Sequence, residues 1–333
     1  KSNYYSGRLY SQWSDAFSTE LRYSRSEVRD RQDPLGGGEA QSDNPIPRII
    51  VGIDNPTGID GTVLAGPGNS RSANDLRTDV DQFRAVGIIE AGAHRIKIGA
   101  EINKASIFNL FVQNATGTLV FRNIDDLRNG LLSPGSTGTT STTPVNVING
   151  RTVGAFGNFS ATGNVNDAAA EFDRTIYSIF AQDEWEISDR LDAVMGVRVD
   201  WYDGGAPALN PNFVARYGFG NNTGFSALDP IVMPRLTLTY KMDDFAVFGR
   251  PTLRGGVGIF SGGDPGVWFG NAFQNDGRGF ATGTTRDAPC PAGQIDVVVN
   301  GQFTGVPTCF RAAGSARAAA GLGDAQSINP AIK

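Results

Sequence analysis

The chain has 333 residues, of which 43 are glycine, and its formal net charge is -5. It is long enough to bury a large core, and its glycine share is typical of proteins that are rich in turns and loops. The mild acidity and the lack of a basic stripe argue against a nucleic-acid partner. A run of eighteen apolar residues does not occur, which excludes a transmembrane helix.

Eight segments of the chain alternate between apolar and polar residues. The clearest is 191–204, where every odd position from Leu191 to Trp201 is apolar and the even positions include Arg198 and Asp200. Period-two alternation places the two sets on opposite faces of a β-strand, so these segments are predicted to be strands. In chain order the predicted strands are Asn3–Trp13, Phe17–Val28, Asp79–Ala91 (the least regular), Arg95–Ala105, 176–187, 191–204, Met233–Met242 and Thr252–Phe260.

The connections between these strands alternate between short and long. The short ones are "SDA", "GAH", "SDR" and the somewhat longer "DDFAVFGRP", whereas the others run for about 50, 70 and 30 residues, and about 70 follow the last strand. Loops beyond about a dozen residues are uncommon in compact soluble domains. Outer-membrane barrels, by contrast, have short periplasmic turns and long extracellular loops. The pattern therefore predicts a transmembrane β-barrel with "SDR" on the periplasmic side.

The two faces of the predicted strands fit this interpretation. An apolar face like that of 191–201 matches the roughly nine to eleven residues that a tilted strand needs to cross a bilayer. The opposite face carries charges of both signs, which belong beside water or a polar plug. The charges predicted to face the lumen are Arg22, Glu101, Arg198, Arg235 and Arg254. We therefore expect an all-β, antiparallel transmembrane barrel fragment of about eight strands, with long extracellular loops, in a bacterial outer membrane.

Residues suited to catalysis or metal binding are scarce. The one histidine, His94, falls in the shortest predicted turn and is interpreted as a solvated turn residue, so we expect no catalytic residue and no enzymatic activity. The segment 54–61 lacks the full ligand series of a calcium loop, and the glycine-rich segments lack phosphate-binding spacing. We expect no metal and no cofactor.

Two cysteines, Cys290 and Cys309, lie in a Gly/Pro-rich region after the last predicted strand. In an oxidising compartment this pair favours a disulfide, and the alternative is two unpaired thiols. The intervening "IDVVVNGQFTG" is suited to a small hairpin around Asn300 and Gly301. Two cysteines without a nearby histidine are too few for a structural zinc site.

Three stretches of the chain resemble the barrels of TonB-dependent outer-membrane receptors. The first is "SIFAQDEWEISDRLDAVMGVRVDWYDG", in which an aromatic–Ala–Gln–Asp segment is followed by a short turn, "RL" and a Gly–hydrophobic–Arg triplet. "PRLTLTY" and "LRGGVGIFSGGDPGVWFGNAFQNDG" follow in the same order and narrow the resemblance to the Oar-like subgroup. The resemblance covers the chain from about Ser11 onward.

This resemblance implies an energised transporter. Members of the family have a barrel of about 22 strands that is occluded by a plug, and a TonB box that couples it to the proton-motive force. On this basis residues 1–333 are expected to be part of one barrel domain, with the plug, the signal peptide and the C-terminal strands outside this chain. The implied partners are outer-membrane lipid, TonB through the plug region, and a large ligand.

The leading function is therefore the uptake, or the export, of a large solute through a plugged barrel. The alternatives are a passive porin or surface adhesion barrel without energy coupling, and a soluble glycan-binding β-protein, which the one-sided loops disfavour. Trp268, Phe269 and Phe273 are candidates for stacking on a sugar or an aromatic chelator, with packing of their own loop as the simpler interpretation. A plug and a TonB box encoded upstream would distinguish these functions.

Overall fold

Eight long strands form one antiparallel sheet in the computed structural model of the chain. The structure describes residues 1–32, 35–53, 61–121, 123–128, 147–148, 151–152, 154–244, 247, 249–262, 265–284, 298–299, 302–303 and 308–332. In chain order the strands are β1 (Ser2–Ser14), β2 (Phe17–Arg31), β3 (Arg48–Ile53), β4 (Gly61–Ala65), β5 (Asn74–Ala91), β6 (His94–Phe111), β7 (Thr118–Phe121), β8 (Val147–Ile148), β9 (Arg151–Thr152), β10 (Ala155–Ser160), β11 (Ala170–Ser188), β12 (Leu191–Gly204), β13 (Ile231–Lys241), β14 (Thr252–Gly258), β15 (Phe280–Thr284), β16 (Val298–Val299) and β17 (Gln302–Phe303). The helices are α1 (Ile124–Arg128), α2 (Pro211–Tyr217), α3 (Gly266–Gln274) and α4 (Thr308–Ala319). Within these described ranges, no helix has the length and hydropathy needed to cross a membrane.

The eight-stranded sheet has the order β1-β2-β5-β6-β11-β12-β13-β14, and each neighbouring pair is antiparallel. Each of the eight predicted segments corresponds to one of these strands, so the prediction of an all-β antiparallel sheet is confirmed. Strands β5 and β6 have 18 residues each and β11 has 19. About nine to eleven residues suffice to cross a bilayer, so these three strands are long enough to extend beyond it. The sheet is open, with β1 and β14 at its edges.

The short connections all lie at one end of this sheet. The turns between β1 and β2, between β5 and β6 and between β11 and β12 have two residues each, and 242–251 joins β13 to β14. In the second of these turns Gly92 has a φ of 62°, a left-handed conformation that glycine adopts without steric cost. Because neighbouring strands are antiparallel, the long connections all lie at the opposite end, as the sequence predicted.

The long connections contain a second sheet, which the sequence pattern did not predict. Its strand order is β15-β10-β7-β3-β4, with β3 and β7 parallel. We call this five-stranded sheet the cap sheet. Helix α4 packs against its strands β10 and β15, and Phe159 and Phe310 meet edge to face with ring centroids 5.4 Å apart. The buried side chains between helix and sheet are Ile49, Val51, Leu119, Phe121, Ala155, Phe159 and Phe310.

Buried asparagines connect the segment after β12 to the region around α3 and α4. The Asn210 side-chain amide donates to the carbonyl oxygens of Asp276 and Gly321, both at 3.0 Å. The Asn210 backbone N–H donates to the Asn221 side-chain oxygen at 2.8 Å, and both asparagines are buried. Buried amides that are fully hydrogen-bonded fix a single loop arrangement. The long connections are therefore packed structures in their described parts.

Candidate functional site

One face of the eight-stranded sheet is apolar and exposed. Residues that pair directly across neighbouring strands share a face, and one such row is Leu9, Leu21, Ala85, Ala100, Ile179, Val199 and Val232. Large side chains on this face are open to solvent, with Ile98 55% and Val197 42% exposed. An apolar surface that extends across this many strands marks an interface with a partner or a membrane. Because the other face is charged, the apolar face is the one suited to lipid.

Aromatic side chains border the apolar face near both ends of the strands. Toward the long connections, Tyr23, Phe83, Tyr177 and Trp201 lie in one cross-strand row with Ile102. The Tyr177 and Trp201 rings stack with centroids 5.8 Å apart. Toward the short turns, the same face carries Phe17, Trp185 and Tyr240. Aromatic girdles at both interfaces are typical of transmembrane barrels.

Beyond the Tyr23 row, the outward face becomes charged. Arg25 lies 3.1 Å from Asp81, and Arg29 forms two hydrogen bonds with the Asp79 carboxylate, at 2.5 and 3.0 Å. The hydrogen bonds from Arg29 lower the pKa of Asp79 below its ordinary value. Charges on this face are costly within the hydrocarbon layer. The edge of the lipid therefore lies between the Tyr23 row and this charged band.

The opposite face, which we call the polar face, carries all five charges that the sequence assigned to the lumen. By register, Arg22 shares a row with Glu101, and Arg198, Arg235 and Arg254 occupy further rows of the same face. These five alternate with the apolar residues along each strand, as predicted.

Arg198 is the centre of a hydrogen-bonded cluster on the polar face. Its Nε lies 2.7 Å from the Asp200 carboxylate, Nη1 lies 3.5 Å from Glu101, and Nη2 donates to the Ser178 hydroxyl at 2.6 Å. Glu101 and Asp200 are largely covered, with side chains 18% and 12% exposed. Paired charges of this kind are stable next to water and costly in a dry core. The polar face is thus suited to line an aqueous lumen or to contact a polar plug.

An aromatic ring interrupts the polar face at Phe180. The ring covers Gly99 on β6, where an added Cβ would clash with the ring and lie 2.8 Å from the Ala85 carbonyl oxygen. The Arg84 guanidinium lies 5.1 Å from the centroid of the same ring. Glycine at position 99 therefore makes room for the ring, and the ring holds Arg84 by a cation–π contact. The sequence pattern did not point to Arg84, because its strand alternates less regularly than the others.

The three loop aromatics proposed as ligand contacts have different environments. Phe269 is fully buried and stacks on Phe225 with centroids 4.3 Å apart, which puts it out of reach of a solute. Phe273 stacks on Phe172 of β11 at 4.2 Å. Trp268 is 68% exposed. The structure thus favours a packing role for Phe269 and Phe273 and leaves Trp268 accessible.

His94 is part of the strand and not of the turn. It is the first residue of β6, its Nδ1 lies 2.7 Å from an Asp183 carboxylate oxygen, and its ring stacks on Trp185 with centroids 5.2 Å apart. The placement of His94 within the turn is therefore corrected to the first strand position after it, while its side chain stays 40% exposed, as the interpretation of a solvated residue expected. Because Ala91, His94 and Trp185 share a row, these contacts lie at the short-turn border of the apolar face.

The region of the two cysteines is described in part. Strands β16 and β17 pair as the small hairpin that the sequence predicted, with Val298 opposite Phe303. Cys309 lies in the first turn of α4 and packs against the core of the cap sheet. Cys290, like most of 54–61, lies outside the described residues, so the disulfide stays a prediction.

A comparison with protein families identifies the fold. Residues 5–333 match the model of an outer membrane beta barrel domain family. Because this match covers nearly the whole chain, the chain belongs to that family and is located in the bacterial outer membrane. No curated protein matches the chain significantly.

Proposed function

We propose that this barrel is the transmembrane part of an energised outer-membrane transporter, a TonB-dependent receptor of the Oar-like subgroup, that carries a large solute. The main support for this proposal is the polar face of the sheet. Its clustered, hydrogen-bonded charges need water or a polar plug beside them, as a transport wall has. The three stretches around 178–204, 234–240 and 253–277 support the subgroup by resemblance.

The implied partners are TonB, reached through a plug, the outer-membrane lipid and the transported solute. The proposed direction of transport is uptake, with export as the alternative. We propose no enzymatic activity. The large packed connections at one end of the sheet would form the outer entrance, and exposed Trp268 is the loop aromatic that remains a candidate for solute contact.

A passive porin or a surface adhesion barrel is the second candidate. The cap sheet is compatible with it, because a folded outer surface suits adhesion as well as capture of a solute. Strands and girdles are common to all three functions. The difference lies in whether the lumen is plugged and whether the protein binds TonB.

Reconstitution of the full-length protein tests the proposal. The protein would be inserted into planar lipid bilayers for conductance measurements, and its binding to the purified periplasmic domain of TonB would be measured separately. Negligible conductance together with TonB binding is expected. A steady open-channel conductance without TonB binding would establish the porin, and neither property would favour adhesion.

A further inference from the structure

Three arginines lie side by side on the polar face. The register pairs Arg8 of β1 with Arg22 of β2, and Arg22 with Arg84 of β5. Directly opposed residues have Cβ atoms about 4.5–5.5 Å apart, and like charges at that separation destabilise a sheet. We call these three residues the arginine row. A nearby anion would offset the repulsion between these guanidinium groups.

The carboxylates near the arginine row do not neutralise it. Glu20 lies 3.3 Å from Arg8. Glu101 is directly opposite Arg84 but lies 3.5 Å from Arg198, which also holds Asp200. The arginine row and Arg198 together thus carry four guanidinium groups, with three carboxylates nearby. Each of these carboxylates contacts Arg8 or Arg198. Within the described part of the chain, neither Arg22 nor Arg84 makes an ion pair.

Two of the three arginines are held in place by their neighbours. Arg84 is positioned over the Phe180 ring, and its Nε is shielded from solvent, which leaves its terminal nitrogens as the groups that can donate. Arg8 donates to the Tyr10 hydroxyl at 2.7 Å. Arg22 lies between Arg8 and Arg84 in the register. Arginines that are held in advance lose little entropy when they bind a carboxylate or phosphate.

The row also lies where a solute would pass. It is one position along each strand from the row of Tyr23 and Phe83, near the long-connection end of the span. The adjacent row of the polar face carries Ser24, Gln82 and Asn103, which are neutral hydrogen-bonding side chains. The net charge of the chain is -5, so the row is a local cationic feature and not part of a general basic surface.

We propose that the arginine row binds the carboxylate or phosphate groups of an anionic solute inside the lumen. Charge-assisted hydrogen bonds from Arg22 and Arg84 would hold the anion, with Arg8 and its partner Glu20 at the side. The inference deepens the proposed function, since it names the chemistry of the solute, and it requires only that the polar face line the lumen.

Equilibrium binding to the full-length protein in detergent tests this site. Citrate and pyrophosphate would be titrated calorimetrically at constant ionic strength, as carboxylate and phosphate probes. The test variant is Arg22→Gln/Arg84→Gln. The matched control is Arg235→Gln/Arg254→Gln, which removes two arginines from the same face at a distance from the row. Heat-sensitive migration on gels would confirm that each barrel is folded.

The expected result is binding of at least one probe by the natural protein, a loss of at least tenfold in affinity in the test variant, and less than a twofold change in the control. Equal losses of affinity in both variants would mean that the polar face attracts anions nonspecifically and has no binding site at the arginine row. Undiminished binding in the test variant, or none by the natural protein, would also overturn the proposal. Because no energy source is used, failure of TonB coupling would leave this result intact, and loss of anion binding would leave TonB coupling untouched.

Discussion

Placing an arginine on the apolar face should damage the barrel more than removing one from the polar face. Val197 lies near the middle of the apolar stretch 191–201, is 42% exposed, and shares its row with Ala181 and Pro234. In Val197→Arg a guanidinium would enter the middle of the hydrocarbon layer. Measured costs for such changes are about 2–4 kcal/mol, which corresponds to a roughly 30- to 700-fold change in the folding equilibrium.

The choice of reference variant depends on the contacts on the polar face. Arg198 is unsuitable, because its removal would leave Glu101 and Asp200 without their cation and cost about 1–3 kcal/mol by itself. Arg254 is exposed, lies on the same face, and makes no ion pair within the described part of the chain. Arg254→Val should therefore change stability by no more than about 0.5 kcal/mol.

The assay is urea-dependent folding of each variant into lipid vesicles, with the free energy of unfolding as the measured quantity. Val197→Ile serves as a control for repacking at the same position. Equal losses for Val197→Arg and Arg254→Val would mean that the faces are reversed or that the polar face is dry. An unaffected Val197→Arg would show that Val197 does not contact lipid.

Three further changes have defined outcomes. A cysteine at exposed position Asn222 should react with an impermeant reagent on intact cells, whereas one at Ser188 should not; the reverse pattern would invert the orientation. Gly99→Val should lower the free energy of unfolding by about 1–3 kcal/mol, since the added atoms meet the Phe180 ring; an unchanged urea midpoint would contradict this contact. Asp79→Asn should destabilise the protein at neutral pH and lose its effect in acid. The folded-state pKa of Asp79 is depressed below its ordinary value of 3.8, so the Asp79 carboxylate stabilises the fold above that pH, and this stabilisation disappears as the pH falls through the folded pKa. If thermal unfolding showed the variant to be as strongly destabilised in acid as at neutral pH, the ion pair with Arg29 would be refuted.

The strands of the large sheet were predictable because one face of each strand meets lipid and the other meets polar surroundings. That difference makes apolar and polar residues alternate along each strand, and the alternation is clear in a segment such as 191–204. The cap sheet was not predictable in the same way. All four residues of β7, Thr118–Phe121, are buried, so their pattern does not alternate, and such short runs are ambiguous.

The sequence predicted which face of the sheet these charges occupy, but it did not predict which charges contact each other. Arg198 and Glu101 are separated by 97 positions in the chain, and only the register of β6, β11 and β12 brings them together. The sequence likewise did not predict which aromatic residues of helix α3 are exposed. Trp268 and Phe269 are adjacent in the sequence, but Trp268 is exposed and Phe269 is buried.

The pairing of Cys290 with Cys309 remains a prediction from the sequence. In the chain-entropy model, closing a loop of this length removes roughly 3 kcal/mol of conformational freedom from the unfolded chain. Titration of the unreduced, denatured protein should find no free thiol, and two reactive thiols would refute the bond.

The parallel contact of β3 with β7 has a consequence for the order of assembly. Strand β3 comes from the connection after β2, β7 and β10 come from the connection after β6, and β15 follows β14. The cap sheet is therefore complete only when residues up to 284 have arrived on the same side as the two earlier segments. Non-local pairing of this kind is slow. A chain arrested in the membrane before β15 arrives should therefore carry an unpaired edge on β10 that other chains can capture.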